Sequence, residues 1–174
     1  MRTVSMIALS SVMFILHIML APVLEIFTAK IDFIMISVLM LALFSQKWYP
    51  PLICAVYSGL AVDITTQTGT YINTGIYLFF GIALGLLVMF FNNNGFVLSG
   101  LLSFACVSVK HLVFVFLLYI MRLSQNLTFG TFLYGLPSAL YTGVVTTGVF
   151  FLYKWIFLLP FMKEKTEDDG KYIL

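Results

Sequence analysis

Charge is scarce in this chain of 174 residues. Asp, Glu, Lys and Arg make up 9% of it, against about 25% in an average soluble domain. A soluble monomer of this size covers much of its surface with polar groups. Nine basic and seven acidic residues cannot do that, the more so because a block of them falls between Lys163 and Lys171. Cysteine is scarcer still. Cys54 and Cys106 both lie in apolar stretches and read as free thiols, a disulfide between them being the alternative. No CxxC, HExxH or other metal-ligand spacing occurs, which excludes the common zinc modules. There is no phosphate-binding glycine loop, no basic cluster suited to nucleic acid, and no nucleophile–base–acid set. Neither a cofactor nor a nucleic-acid partner is expected. The net charge of +2 carries little information by itself.

What is present is apolar. Hydrophobic residues are 61% of the chain and the mean hydropathy is +1.07. Lipid as the surrounding solvent removes the problem of the missing polar surface. The length suits one domain. The reading is an all-α polytopic transmembrane bundle of six short helices over residues 1–162, followed by a charged tail at 163–174.

The first apolar segment runs from about Val4 to Leu24. Its exit, Ala21-Pro22-Val23-Leu24-Glu25, is a poor signal-peptide cleavage site, so an uncleaved first helix is expected. The second, Ile31 to about Phe44, is short. Trp48 and Tyr49 form the aromatic pair expected where a helix meets head groups, and Pro50 and Pro51 fit the first turn of the next helix. The third segment, Pro51 to about Ile64, spans only ~20 Å, less than the ~30 Å hydrocarbon core. It tilts little, lies in a thinned region, or extends into Thr65-Thr66-Gln67-Thr68; each option leaves Asp63 close to the membrane. The fourth runs from Tyr71 to Phe91, the fifth from Phe96 to about Met121, and the sixth covers Thr131 to Phe161, its helix proper starting near Pro137. Six crossings put Arg2, Lys47, Lys154, Lys163, Lys165 and Lys171 on one side and Lys30 and Arg122 on the other. The positive-inside rule then predicts that both termini are cytoplasmic. Five crossings, with segments two and three re-entrant, is the alternative.

Few polar residues fall inside the segments. Asp63 reads as a cap or interface acid, or as a buried acid bonded to another helix. Lys110 is the favoured partner for the second case. It lies ~21 Å along the fifth segment, at a depth similar to Asp63. The alternative is that Lys110 snorkels outward along its own helix. His111 points ~100° away from Lys110, and His17 reads as a packing or interface residue. Gly59 and Asp63 share one helix face. Gly81 and Gly85 form a GxxxG pair on the fourth segment, so a close approach of segments three and four is expected at Gly59, Gly81 or Gly85.

The stretch from Ile31 to Leu87 resembles the MreD family, the bacterial rod shape-determining membrane proteins. The resemblance rests on Ile31-Asp32-Phe33, where an aspartate opens the second segment, and on Gly59-Leu60-Ala61-Val62-Asp63 closing the third. Gly69-Thr70-Tyr71-Ile72-Asn73 and the Gly81/Gly85 spacing continue the frame. The family often has Gln-Asp where this chain has Val62-Asp63, and Pro-Asp where it has Ile31-Asp32. Residues 96–161 agree mainly in length and segment number. The resemblance implies a fold similar to the substrate-binding subunits of energy-coupling-factor vitamin transporters. It also implies a non-enzymatic scaffold of the cell-elongation complex, multi-pass in the bacterial inner membrane. The partner it implies is MreC, with RodZ, MreB, RodA and a class B penicillin-binding transpeptidase beyond it. On that reading peptidoglycan chemistry belongs to the partners. The competing expectation is a vitamin-transporter subunit, which needs an outward cavity with several polar contacts.

Overall fold

The computed structural model of the chain describes residues 3–26, 29–45, 47–66, 71–88, 95–121 and 135–158. Among them are six helices: α1 (Thr3–Leu20), α2 (Phe33–Ser45), α3 (Tyr49–Thr66), α4 (Ile72–Val88), α5 (Phe96–Ile120) and α6 (Gly135–Leu158). The charged tail and Gly69 lie outside the described residues, so the structure places neither.

Helix boundaries follow local chemistry. α1 stops at Leu20, four residues before the expected end, and continues as a turn over 21–24. Pro22 has no N–H to donate, and its ring crowds the carbonyl one turn back. α3 opens on Tyr49 with Pro50 and Pro51 in its first turn, where helical amides lack acceptors in any case. It runs on through Thr65 and Thr66, which lengthens it to 18 residues, about 27 Å. α6 begins at Gly135, and Pro137 likewise occupies its first turn.

α2 is the axis of the molecule. All residues from Phe33 to Leu43 are buried, and α2 packs against each of the other five helices. A helix surrounded on all sides has no polar face to show, so its sequence is uniformly apolar rather than amphipathic. Its 13 residues reach about 20 Å. A helix enclosed by protein does not have to match the thickness of a bilayer, and this accounts for the short second segment.

The other helices form two pairs around this axis. α3 packs on α4 and α5 packs on α6, the two most extensive contacts in the fold. Both rest on missing side chains. A Cβ at Gly81 would stand 2.8 Å from the Ala55 Cβ and 3.1 Å from the Pro51 carbonyl oxygen. A Cβ at Gly85 would stand 2.8 Å from the Trp48 carbonyl oxygen. The expected close approach of segments three and four is therefore present at both glycines. In the second pair, a Cβ at Gly143 would come 3.0 Å from the Gly100 carbonyl oxygen, and one at Gly100 would come 3.1 Å from that of Gly143. One turn further along, the Thr146 hydroxyl donates to Ser103 Oγ at 2.8 Å. Cys54 and Cys106 are both buried free thiols.

α5 and α6 are long and apolar enough to cross a membrane by themselves. The outward faces are apolar on several helices, with Val12 and Ile15 on α1, Phe79 and Leu86 on α4, Leu101 and Phe116 on α5, and Val144 and Phe151 on α6 all exposed.

Candidate functional site

The two buried carboxylates, Asp32 and Asp63, lie at the end of the bundle where α1, α3 and α5 finish and α2, α4 and α6 begin. Asp32 sits just ahead of α2 and caps it. Its Oδ1 accepts from the Met35 amide at 3.0 Å, which satisfies one of the four amides that the first turn leaves unpaired. The Asp32 amide donates to Thr142 Oγ1 on α6 at 3.2 Å.

The cap also serves as a charge site. Lys110 Nζ on α5 donates to Asp32 Oδ2 at 2.5 Å and to the Tyr77 hydroxyl oxygen on α4 at 2.6 Å. The Tyr77 hydroxyl donates in turn to the carboxylate, 3.1 and 3.2 Å from its two oxygens. The ammonium also lies 4.3 Å from the centroid of the Tyr77 ring, a cation–π distance. Asp32 and Tyr77 are buried, and the Lys110 side chain is 19% exposed. An ion of either sign left alone here is costly, and the pair becomes tolerable because each partner carries further hydrogen bonds. Four helices meet at this one point.

Asp63 is used differently. Its Oδ1 accepts from the Asn73 amide at 3.2 Å and from Asn73 Nδ2 at 2.9 Å. Its Oδ2 accepts from the Thr74 amide at 2.8 Å and from the Thr74 hydroxyl at 2.6 Å. A carboxylate at the end of α3 thus caps the start of α4, where open amides and the helix dipole both favour negative charge. Gly59 makes this possible. A Cβ there would stand 2.7 Å from the Thr74 Cα, so α4 can begin against α3 only because that position is bare. One turn later the aspartate meets the amides that the close approach has delivered. The Gly-x-x-x-Asp spacing is therefore the geometry of a helix-to-helix joint.

The expected pairing of Asp63 with Lys110 is overturned. Asp63 is buried and bonded to another helix, as one of its two readings has it, but its donors are Asn73 and Thr74. Lys110 does not snorkel outward; it turns inward to Asp32. Lys110 meets Asp32 Oδ2 beside the Tyr77 hydroxyl, whereas four donors from α4 occupy both oxygens of Asp63. The structure brings together Asp32 with Lys110, and Gly59, Asp63 and Asn73 with one another. It sets Gly81 and Gly85 further along the same α3–α4 contact. Tyr77 is a site residue that reading the sequence misses, although a signal is present. Residues 73, 77, 81 and 85 follow one another at four-residue spacing, so Tyr77 lies on the same face of α4 as the packing glycines. A tyrosine on such a face requires a partner for its hydroxyl.

No family model, curated protein or solved structure matches the chain.

Beside the ion pair is a cavity of about 220 Å³, lined by residues from α1, α4, α5, α6 and the α1–α2 connection. Its lining is polar at His17, Lys30, Asn73, Lys110, His111 and Ser138 and apolar at Ile31, Val107 and Phe114. Among the described residues no group of three His, Cys, Asp or Glu is placed to hold a metal ion.

The cap at Asp63 predicts a graded response to substitution. Asp63→Asn keeps an acceptor for the α4 amides and loses the charge. Asp63→Ala loses both and should cost about 1–2 kcal/mol, with Asn costing less. Thermal unfolding of the purified chain in detergent reads both. Equal losses for Asn and Ala would show that the acceptor contributes nothing and that the charge carries the whole effect.

Proposed function

We propose that this chain is a non-enzymatic membrane scaffold of the MreD kind, crossing the bacterial inner membrane six times with both termini in the cytoplasm. It would bind a single-helix partner of the MreC kind, and through it the rest of the elongation machinery. The observation that carries this reading is the use made of the residues on which the resemblance rests. Asp32 ties α2 to α4, α5 and α6, while Gly59 and Asp63 join α3 to α4. That these residues join helices to one another supports a scaffold role. Exposed apolar side chains on α1, α4, α5 and α6 give a surface suited to lipid or to another helix. The substrate-binding-subunit arrangement belongs to the same proposal.

The cavity beside Lys110 favours the second reading, a vitamin-transporter subunit, to a limited degree. Its small size supports the scaffold reading instead. Pockets for drug-sized ligands occupy about 300–1,000 Å³, and this one is about 220 Å³.

Co-purification in mild detergent, followed by identification of the bound chains, tests the proposal. A single-helix partner with a large extracytoplasmic domain is the expected companion. An ATPase pair with a coupling subunit would overturn the scaffold reading. The topology has its own test. Reporter fusions after Phe161 and within residues 123–130 should report opposite sides of the membrane, and one side for both would end the six-crossing arrangement.

A further inference from the structure

We propose that the cavity at the α1/α5/α6 end binds a phosphate group carried on a partly apolar molecule. Such a ligand is independent of any partner chain, so the site stands whether or not the scaffold reading holds.

The lining of this space carries donors with hydrogens to spare. Asp32 is the carboxylate on the wall, and it is spent. Oδ1 accepts from the Met35 amide and both oxygens face the Tyr77 hydroxyl, while Oδ2 holds Lys110. Its charge is balanced by the ammonium it touches. Lys110 and Ser138 keep hydrogens to donate. An ammonium has three hydrogens, and Lys110 directs two of them at Asp32 and Tyr77. Ser138 Oγ accepts from the Lys30 amide at 3.0 Å, and its own hydrogen has no acceptor among the described residues. His17 Nδ1 is buried and makes no hydrogen bond. Lys30 stands at the rim, its side chain 60% exposed, held loosely by Glu25 at 3.4 Å. His111 also lines the space but already has a partner, and it is not one of the open donors. Among the described residues, Lys30, Lys110 and Ser138 therefore offer donors to a space whose acid, Asp32, is already neutralised.

Donors approaching from several helices suit an acceptor with oxygens on several sides, which is the geometry of a phosphate group. The apolar part of the lining, Ile31, Val107 and Phe114, gives no partner to a second charge. It suits the glycerol and upper acyl carbons of a lipid, or the carbon skeleton of a small soluble phosphate. The end of the bundle that holds the cavity would lie at head-group level if the helices cross a bilayer.

Native mass spectrometry of the full chain in detergent distinguishes the sources. The probes are phosphatidylglycerol, phosphatidylcholine and inorganic phosphate. The expected result is retention of phosphatidylglycerol in preference to phosphatidylcholine, weakened about tenfold by Lys30→Gln, the loss of one charge-assisted contact. Lys30→Gln leaves the backbone bond to Ser138 in place, so the fold has no reason to change. Ser138→Leu fills part of the cavity and should reduce binding further. Phosphatidylglycerol that persists against excess inorganic phosphate assigns the site to a lipid head group. Displacement by inorganic phosphate assigns it to a soluble phosphate. Absence of any bound anion, or binding that both variants leave unchanged, overturns the proposal.

Discussion

Replacing Lys110 by Met should cost about 3–5 kcal/mol of stability, the largest single loss available at this end of the bundle. Met fills the volume of the lysine stem but leaves the Asp32 carboxylate buried without a counter-charge. The value should fall toward the lower end, because the cavity beside Lys110 lets water reach part of the pair. The informative partner variant is Asp32→Asn. Asparagine caps a helix about as well as aspartate, so the Met35 amide keeps an acceptor and only the charge is removed. Asp32→Asn alone strands the ammonium beside Tyr77. The double variant strands neither, and should be more stable than the sum of the two losses predicts by about 1–3 kcal/mol. Equilibrium unfolding of all four proteins in one detergent measures this coupling. A coupling indistinguishable from zero would show that Lys110 and Asp32 ionise independently, and that α5 is held to α2 by packing alone. The same cycle run on Asp63 and Lys110 should give zero, since Asp63 takes its donors from Asn73 and Thr74.

That contrast marks how far the sequence can be read. The six helices are legible because each is an apolar run bounded by prolines, glycines or charge, and these signals are local. The close contact of segments three and four is legible for a related reason. Gly59, Gly81 and Gly85 on helix faces imply an approach whatever the neighbour is. Choosing the partner of Lys110 is a different kind of problem. Depth along the helices places Asp63 and Lys110 at the same end, and the structure does put both there. Depth does not say which helix faces which around the axis. That arrangement depends on α2 standing at the centre, which follows from its burial on every side and not from its length. Once α2 is central, the aspartate that opens it is the acid that α4, α5 and α6 all reach, and Tyr77 and Thr142 become its natural partners. The cavity is illegible for the same reason, being lined by side chains from elements far apart in the chain.

Gly59→Ala should be the most damaging one-methyl addition to the α3–α4 pair, with a loss of about 1–3 kcal/mol. The atom it meets is the Thr74 Cα, at 2.7 Å from the added carbon, with the Thr74 amide nitrogen at 3.3 Å. Backbone in the first turn of a helix cannot rotate aside as a flexible side chain can. The start of α4 must therefore move outward as a unit. That movement stretches the four hydrogen bonds from Asn73 and Thr74 to Asp63, so the cost of the clash and the cost of the lost cap arrive together. Gly75 is the control. It lies one residue beyond Thr74 in the same helix, is exposed, and a Cβ there meets nothing within 4 Å. Gly75→Ala should stabilise the chain by up to about 1 kcal/mol through helix propensity alone. Adjacent regions of one contact thus give opposite signs for the same added methyl group. The joint also predicts non-additivity. In a chain that already carries Asp63→Ala, the cap is gone, and Gly59→Ala should cost less than it does in the native background. Thermal unfolding of the single and double variants checks each step. A harmless Gly59→Ala would mean that α4 begins further from α3 than the 2.7 Å contact requires, and would remove the steric need for a glycine one turn before Asp63.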